Sequence, residues 1–370
     1  MKVTFNRVAL GEALGLLTLV VPSRTPKPIL KCVSITAGEK DVQICATDLE
    51  VGINYSLSEV QVEEKGQIVV PVEKLAAIVR ESVDDVLYLQ TKEGVCDITG
   101  ADSHFTIYGQ QAEQYPTVPG FEDEPDIEIS LENLQSGIEL CLFATAKESS
   151  RYALNGVLWE IQGKKLVMIA TDGRRLARCK VNSKSVAENK TEEIKIIVPA
   201  KAMSLLGKIG GDGKNKEVVG LKIDGNHILA KCSNIVISSN LVEGNFPKYE
   251  DIIPTGYTKK ITLATEPTLS AVRRSSLLTS EDSRGIKLAI GRDKVVFSCR
   301  APEMGDAQIT MAIDYKGDPI EIGFNPQFIV DVLRVIKTSE LELELGEPDR
   351  PGLIRAGKDF LYVLMPINLG

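Results

Sequence analysis

The spacing of apolar positions changes along this chain, and the changes recur. Residues 8–20 place Leu10, Leu14 and Leu17 four and three apart, the spacing that puts side chains on one face of a helix. The pattern returns over 131–145, with Leu134, Ile138 and Leu142, and again over 267–278. A second kind of helix follows a strand and a proline in VVPVEKLAAIVRES, IVPAKAMSLLGKIGG and GFNPQFIVDVLRVIKT. Its prolines, Pro71, Pro199 and Pro326, are 128 (199−71) and 127 (326−199) residues apart. Proline suits a first helical turn because its missing N–H has no partner there.

Short alternating segments surround these helices, among them 42–46, 166–170, 221–223, 294–299 and 341–345. Turn residues such as Asp224-Gly225-Asn226 separate them. The order strand, helix, three strands therefore occurs six times, two βαβββ halves in each of three repeats. This is an α+β chain of three repeated domains. Tyr115-Pro116 and Phe246-Pro247 close the first two repeats, and acidic, proline-bearing linkers follow at 120–126 and 250–255. Those signals place the domains at 1–122, 123–255 and 256–370.

Composition narrows the chemistry. With 43% apolar and 25% charged residues over 370 positions, the chain has material for several cores. No apolar run reaches the roughly 18 residues of a membrane span, and the N-terminus reads as folded strand and helix, not as a signal peptide. The seven cysteines are scattered without a C-x-x-C, which predicts reduced thiols and a cytoplasmic protein. His104 and His227 are isolated, so neither a metal site nor a cofactor is expected. The net charge of −8 opposes a tight grip on nucleic acid; a DNA role would need a locally positive surface on a negative body.

Such a surface has candidates on or beside the helices: Arg7, Lys74, Arg80, Lys147, Lys201, Lys208, Arg273, Arg274, Arg334 and Lys337. Read blandly, they are ordinary solvated charges. Arg24 and Lys27 stand in a loop stiffened by Pro22, Pro26 and Pro28, which is either a contact loop or a plain connection. The segment ATDGRRLA also has two readings. Asp172 could serve a metal-dependent phosphohydrolase or nuclease, with Arg174 and Arg175 on phosphate; or Asp172-Gly173 is a turn between two strands. No P-loop is present, since GGDGKNK lacks the spacing, and no Ser–His–Asp set is plausible.

The runs Arg151-Tyr152-Ala153-Leu154-Asn155-Gly156-Val157 and Ala170-Thr171-Asp172-Gly173-Arg174-Arg175-Leu176-Ala177 resemble the bacterial beta sliding clamp family. So do Phe246-Pro247-x-Tyr249 with Ile253-Pro254, Phe324-Asn325-Pro326, and the closing Leu364-Met365-Pro366-Ile367-Asn368-Leu369. The resemblance spans the chain. It implies a ring of two head-to-tail subunits, sheets outside and helices lining the hole, which encircles duplex DNA without reading sequence. It implies a processivity factor with no catalysis of its own. Arg24, Arg151 and Tyr152 match positions that touch tilted DNA. Leu154, Thr171, Gly173, Arg174, Arg175, Leu176, Pro247, Ile252, Val363, Leu364, Met365, Pro366 and Ile367 match a groove for linear peptides of the replicative polymerase, clamp loader and repair proteins. Phe105, Leu277 and Leu278 match the homodimer seam. Arg174 and the extra terminal Gly370 depart from the family pattern, which leaves their effect on peptide preference open.

Overall fold

The computed structural model describes the chain except residues 148–151, 186–192, 211–216, 280–284, 303 and 369–370. Arg151 and Gly370 thus lie outside the described residues. Six α-helices occur among those described: α1 Arg7–Val20, α2 Val72–Glu81, α3 Leu131–Leu142, α4 Ala200–Leu206, α5 Thr265–Ser275 and α6 Pro326–Val335. Each is preceded by one strand and followed by three, so the sixfold βαβββ repeat is realised. Two short additional strands, Val60–Glu64 and Lys184–Ser185, pair with the opening strands of the first and second repeats.

Local chemistry sets the helix starts. The Asn6 side chain accepts from Ala9 N, and Asn325 accepts from Gln327 N, each satisfying a donor that the first turn leaves open. Leu10, Leu14 and Leu17 of α1 are buried, as the spacing predicted, each worth about 1.5–3 kcal/mol. The α3 helix stops at Leu142, three residues earlier than the apolar pattern suggested. Tighter bonds, Ala144 N to Cys141 O and Thr145 N to Leu142 O, close its end. The helix expected over 267–278 starts at Thr265 and ends at Ser275, with a 3₁₀ turn over Ser276–Leu278.

The chain forms two compact units. The first draws on Met1–Gln135 and Lys201–Leu241, the second on Ser136–Asn182 and Val242–Gly370. Among the described residues all strand pairs are antiparallel. The first unit holds a five-stranded and a nine-stranded sheet; the latter is continuous because Val51–Leu57 pairs with Ile235–Asn240. The second holds an eight-stranded sheet, continuous through Arg175–Asn182 and Phe360–Leu364, and a four-stranded one. His104–Tyr108 is an edge of the five-stranded sheet, and Gly305–Ala312 an edge of the four-stranded sheet.

Candidate peptide groove and basic helix surfaces

In the second unit, the strand Lys165–Thr171 turns into Arg175–Asn182 through Asp172, Gly173 and Arg174. Asp172 Oδ1 accepts from Arg174 N and Arg175 N, and Thr171 Oγ1 accepts from Gly173 N and donates to Arg175 O. Gly173 has φ of +87°, a conformation that costs a side-chain-bearing residue energy, so glycine suits the position. This turn is where the tail arrives. Leu176 pairs with Val363, Arg175 with Leu364, and Met365 N donates to Arg174 O.

One sheet face of this junction is apolar. Leu176 and Val363 are buried in a cluster with Ala153, Tyr249 and Leu361, against which Phe246 and Ile253 pack. Leu154, next to Ala153, is also buried. Around them Ile252 and Met365 remain 38% and 41% exposed, which leaves apolar surface for a partner. Gly173 and Arg174 are exposed, and Pro247 is half-buried. The last two groove candidates part company with the rest. Ile367 N donates to Gly323 O, and Pro366 and Ile367 line a separate cleft of about 520 Å³ with Lys287, Glu321 and Asp349.

The opposite face is built around Arg175, whose side chain is 9% exposed. Its Nε donates to Asp172 Oδ2 at 2.9 Å, Nη1 to Asp331 Oδ2 at 2.7 Å and Nη2 to the Phe143 carbonyl at 2.8 Å. The guanidinium also lies over the Phe328 ring at 4.5 Å and the Phe143 ring at 5.5 Å. Burial pushes its pKa down, but Tyr362, Asp331 and Asp172 more than offset this and hold it above the ordinary arginine value. The group expected to orient a peptide is therefore engaged inside the protein. Phe143, Phe328 and Asp331 were missed in the sequence; the one available signal was Phe328, two residues past the noted Asn325-Pro326. Asp172 has both oxygens occupied by the turn and by Arg175, so the nuclease or phosphohydrolase reading gives way to the turn.

The first unit repeats this arrangement with different residues. Asp48 Oδ1 accepts from Glu50 N and Val51 N, Thr47 Oγ1 accepts from Leu49 N and donates to Val51 O, and Asn240 N donates to Glu50 O. The cation here is Lys201 from α4, whose Nζ lies 2.5 Å from Asp48 Oδ2 and 2.6 Å from the Val20 carbonyl. Lys201 thus does for Asp48 and Val20 what Arg175 does for Asp172 and Phe143.

The other basic candidates divide by partner. Arg7 Nε donates to Asp84 O, Arg80 pairs with Glu81 and Lys337 with Glu139. Lys208 is exposed. Among the described residues, Arg24, Lys27, Lys74, Lys147, Arg273, Arg274 and Arg334 are exposed and make no ion pair. Arg80, Arg273, Arg274 and Arg334 stand in last helical turns, where a cation also opposes the negative end of the helix dipole. Tyr152 is 74% exposed; so is Leu277, beside half-buried Leu278. Phe105, on an edge strand, is 40% exposed.

Known proteins resemble the chain throughout. Three domain families match in succession: the N-terminal domain of the DNA polymerase III beta subunit over residues 1–119, the central domain over 128–248 and the C-terminal domain over 250–368. The beta sliding clamp of Pseudomonas aeruginosa is 30% identical over 372 residues, covering 100% of both chains. That of Chlamydia pneumoniae is 28% identical over 370 residues, covering 100% of this chain and 99% of its own. Among solved structures, a sliding clamp of Pseudomonas aeruginosa bound to griselimycin superposes with a TM-score of 0.92 at 30% identity and full coverage of both chains. The sliding clamp of Bacillus subtilis gives a TM-score of 0.92 at 26% identity, covering 100% of this chain and 99% of its own.

Proposed function

The chain belongs to the DNA polymerase III beta subunit family, and from that membership we propose how its surfaces divide the work of a sliding clamp. It is a processivity factor that encircles duplex DNA as a homodimeric ring and tethers polymerases through a peptide groove. It has no catalytic task of its own. The observation that carries this is the succession of three family domains along one chain.

The residue assignments are our own reading. The groove is the apolar face at the Thr171–Leu176 turn and the Val363–Met365 tail, with Leu154, Pro247 and Ile252 at its borders; Pro366 and Ile367 hold the tail from behind. Peptides of the replicative polymerase, clamp loader and repair proteins would bury their apolar anchors against Met365 and Ile252. A flexible thioether adapts to several partners, which suits a shared site. Arg24, Lys27, Lys74, Lys147, Tyr152, Arg273, Arg274 and Arg334 supply weak, sequence-independent phosphate contacts, with Arg7 and Arg80 beside them and Arg151 by family position. Such contacts position DNA without reading it. Lys201 is assigned to the Asp48 clasp. Phe105 with Leu277 and Leu278 form the seam between copies.

We place repeat boundaries near 122 and 255, and the site of action in the cytoplasm. No helix among the described residues is long and apolar enough to cross a membrane. The test is topological. Protein assembled on a nicked circular duplex should remain bound through a high-salt gel-filtration step and be lost once the circle is cut. Equal loss from circles and linear DNA would overturn encirclement.

A further inference from the structure

We propose that the outer edge of Lys259–Ala264, the strand that opens the third repeat, takes an extended segment of a partner protein as an added antiparallel strand. The segment carries apolar residues at alternate positions and a carboxylate opposite Lys260. The proposal rests on neither the peptide groove nor the seam between copies: this edge lies three strands beyond Phe360–Leu364 in the eight-stranded sheet. It follows from what the chain does with the same edge in its other two repeats.

In the first repeat the opening strand Lys2–Asn6 lies one strand in from the edge, covered by Val60–Glu64. In the second, Ile127–Ser130 is covered by Lys184–Ser185. In the third, Lys259–Ala264 is itself the edge, and among the described residues it pairs only with Glu340–Leu345. The three strands correspond residue for residue, because each runs straight into its helix: Asn6, Ser130 and Ala264 stand immediately before Arg7, Leu131 and Thr265. Lys260 therefore takes the place of Lys2, Ile261 of Val3, Thr262 of Thr4 and Leu263 of Phe5.

The stretch that would cover the third strand is held elsewhere. The covering strands follow Val51–Leu57 and Arg175–Asn182, and the equivalent stretch after Gly305–Ala312 is 313–319. There Ile313 N donates to Asp293 O and Asp293 N donates to Tyr315 O, while buried Tyr315 donates its hydroxyl to Asp318 O. These bonds draw the stretch onto the turn at Asp293. A cleft of about 550 Å³ lies between it and residues 257–260. The edge also offers unused main-chain groups. Thr265 N donates to Ser339 O, across to the neighbouring strand. Main-chain groups alternate in direction along a strand, so those of Leu263 and Ile261 face that neighbour too, and the N–H and C=O of Thr262 and Lys260 face outward. Such a row is a template for another chain.

The covering strands show which chemistry the edge accepts. Val60 and Val62 pair with buried Phe5 and Val3, and the corresponding Leu263 and Ile261 are buried as well, so apolar residues two apart fit the core side. Charge is matched in both covered repeats. Glu64 pairs with Lys2, their charged groups 3.1 Å apart, and Lys184 pairs with Glu128 at 3.6 Å. Lys260, in the place of Lys2, calls for an acid. It meets Glu342 and Glu344 of the neighbouring strand but stays 60% exposed. Lys259 and Lys316 add positive charge in the cleft, against Asp314 and Asp318. Edge lysines ordinarily discourage indiscriminate pairing, and here they make the carboxylate the condition for entry.

The test is residue-resolved amide hydrogen exchange on the full-length protein. The probe is a synthetic peptide of residues 58–66, SEVQVEEKG, the chain's own covering strand. Without peptide, the Lys260 and Thr262 amides should exchange far faster than those of Ile261 and Leu263, and faster than their covered counterparts Lys2 and Thr4. Millimolar peptide should slow Lys260 and Thr262 several-fold. The same peptide with Glu64→Lys, or with Val60→Glu and Val62→Glu, should not. In the protein, Thr262→Pro removes an outward N–H and spares the bonds to Glu340–Leu345, as proline does on an edge strand. It should abolish the slowing at Lys260 with little change in melting temperature, whereas Thr262→Val should keep it. Three results overturn the proposal: Lys260 and Thr262 as slow as Lys2 and Thr4 without peptide, including slowing that disappears on dilution and so assigns the edge to a second copy; no slowing with millimolar peptide; or equal slowing by the Glu64→Lys peptide.

Discussion

Arg175 gathers groups that stand far apart in the chain. Asp172 is three residues away, Phe143 lies 32 residues earlier and Asp331 lies 156 later. The Asp-Gly turn beside it was legible in the sequence, because Asx chemistry is local. The fate of the arginine was not, since nothing near position 175 announces a carboxylate on α6. Alternation does separate it from its neighbours: Leu176 faces the apolar cluster, so Arg175 must face the other way. Replacing it with methionine keeps much of the stem volume but leaves Asp172, Asp331 and the Phe143 carbonyl without their cation. Breaking a buried pair on one side typically costs about 3–5 kcal/mol, and the part-exposure of the two carboxylates puts Arg175→Met near the low end. Arg174→Ala, at an exposed position, should stay within about 0.5 kcal/mol of the parent. Thermal melts of the two variants decide it; an unchanged melting temperature for Arg175→Met would remove the clasp from the account.

At the scale of elements, periodicity carried most of the fold, and its small errors have physical causes. Pro71 and Pro199 sit at the residue before their helices, whereas Pro326 is the first helical residue and Asn325 takes the capping position. Aligned on caps instead of prolines, the spacings become 128 (199−71) and 126 (325−199). Why the two continuous sheets differ at their junctions was illegible, because it depends on what packs over the sheet. In the first unit the places of Leu176 and Val363 are taken by Gly52 and Ser238. Val118 fills the space, with its Cγ1 2.6 Å from where a Cβ on Gly52 would stand. Among the described residues, the corresponding place in the first unit thus offers no counterpart to the groove proposed for the second. Deleting Met365–Gly370 removes Met365 and the two bonds that tie the tail to Arg174 and Gly323. Peptide affinity should fall below detection in a fluorescence anisotropy titration. Binding within a few-fold of the parent would mean that the groove lies elsewhere.

For the whole molecule, the sequence carried the threefold repetition but not the packing. The compact units divide the middle repeat between them, and no compositional break marks that division. Charge is also a property of the whole. A body of net charge −8 repels DNA on average, so any attraction must come from local cations such as Arg273 and Arg274, which are exposed at the end of α5. Reversing both to glutamate should weaken retention on circular DNA, most at low salt where attraction is least screened. If each arginine meets one phosphate, the slope of log affinity against log salt should fall by about 2, near 0.9 for each phosphate no longer neutralised. The same substitutions leave the turn, the tail and the apolar cluster untouched, so peptide affinity should hold. The tail deletion should do the reverse, losing peptide while keeping the salt-dependent hold on DNA. Measured side by side on folded protein, the two variants should lose different activities; loss of both activities in both would show that DNA and peptide share a surface.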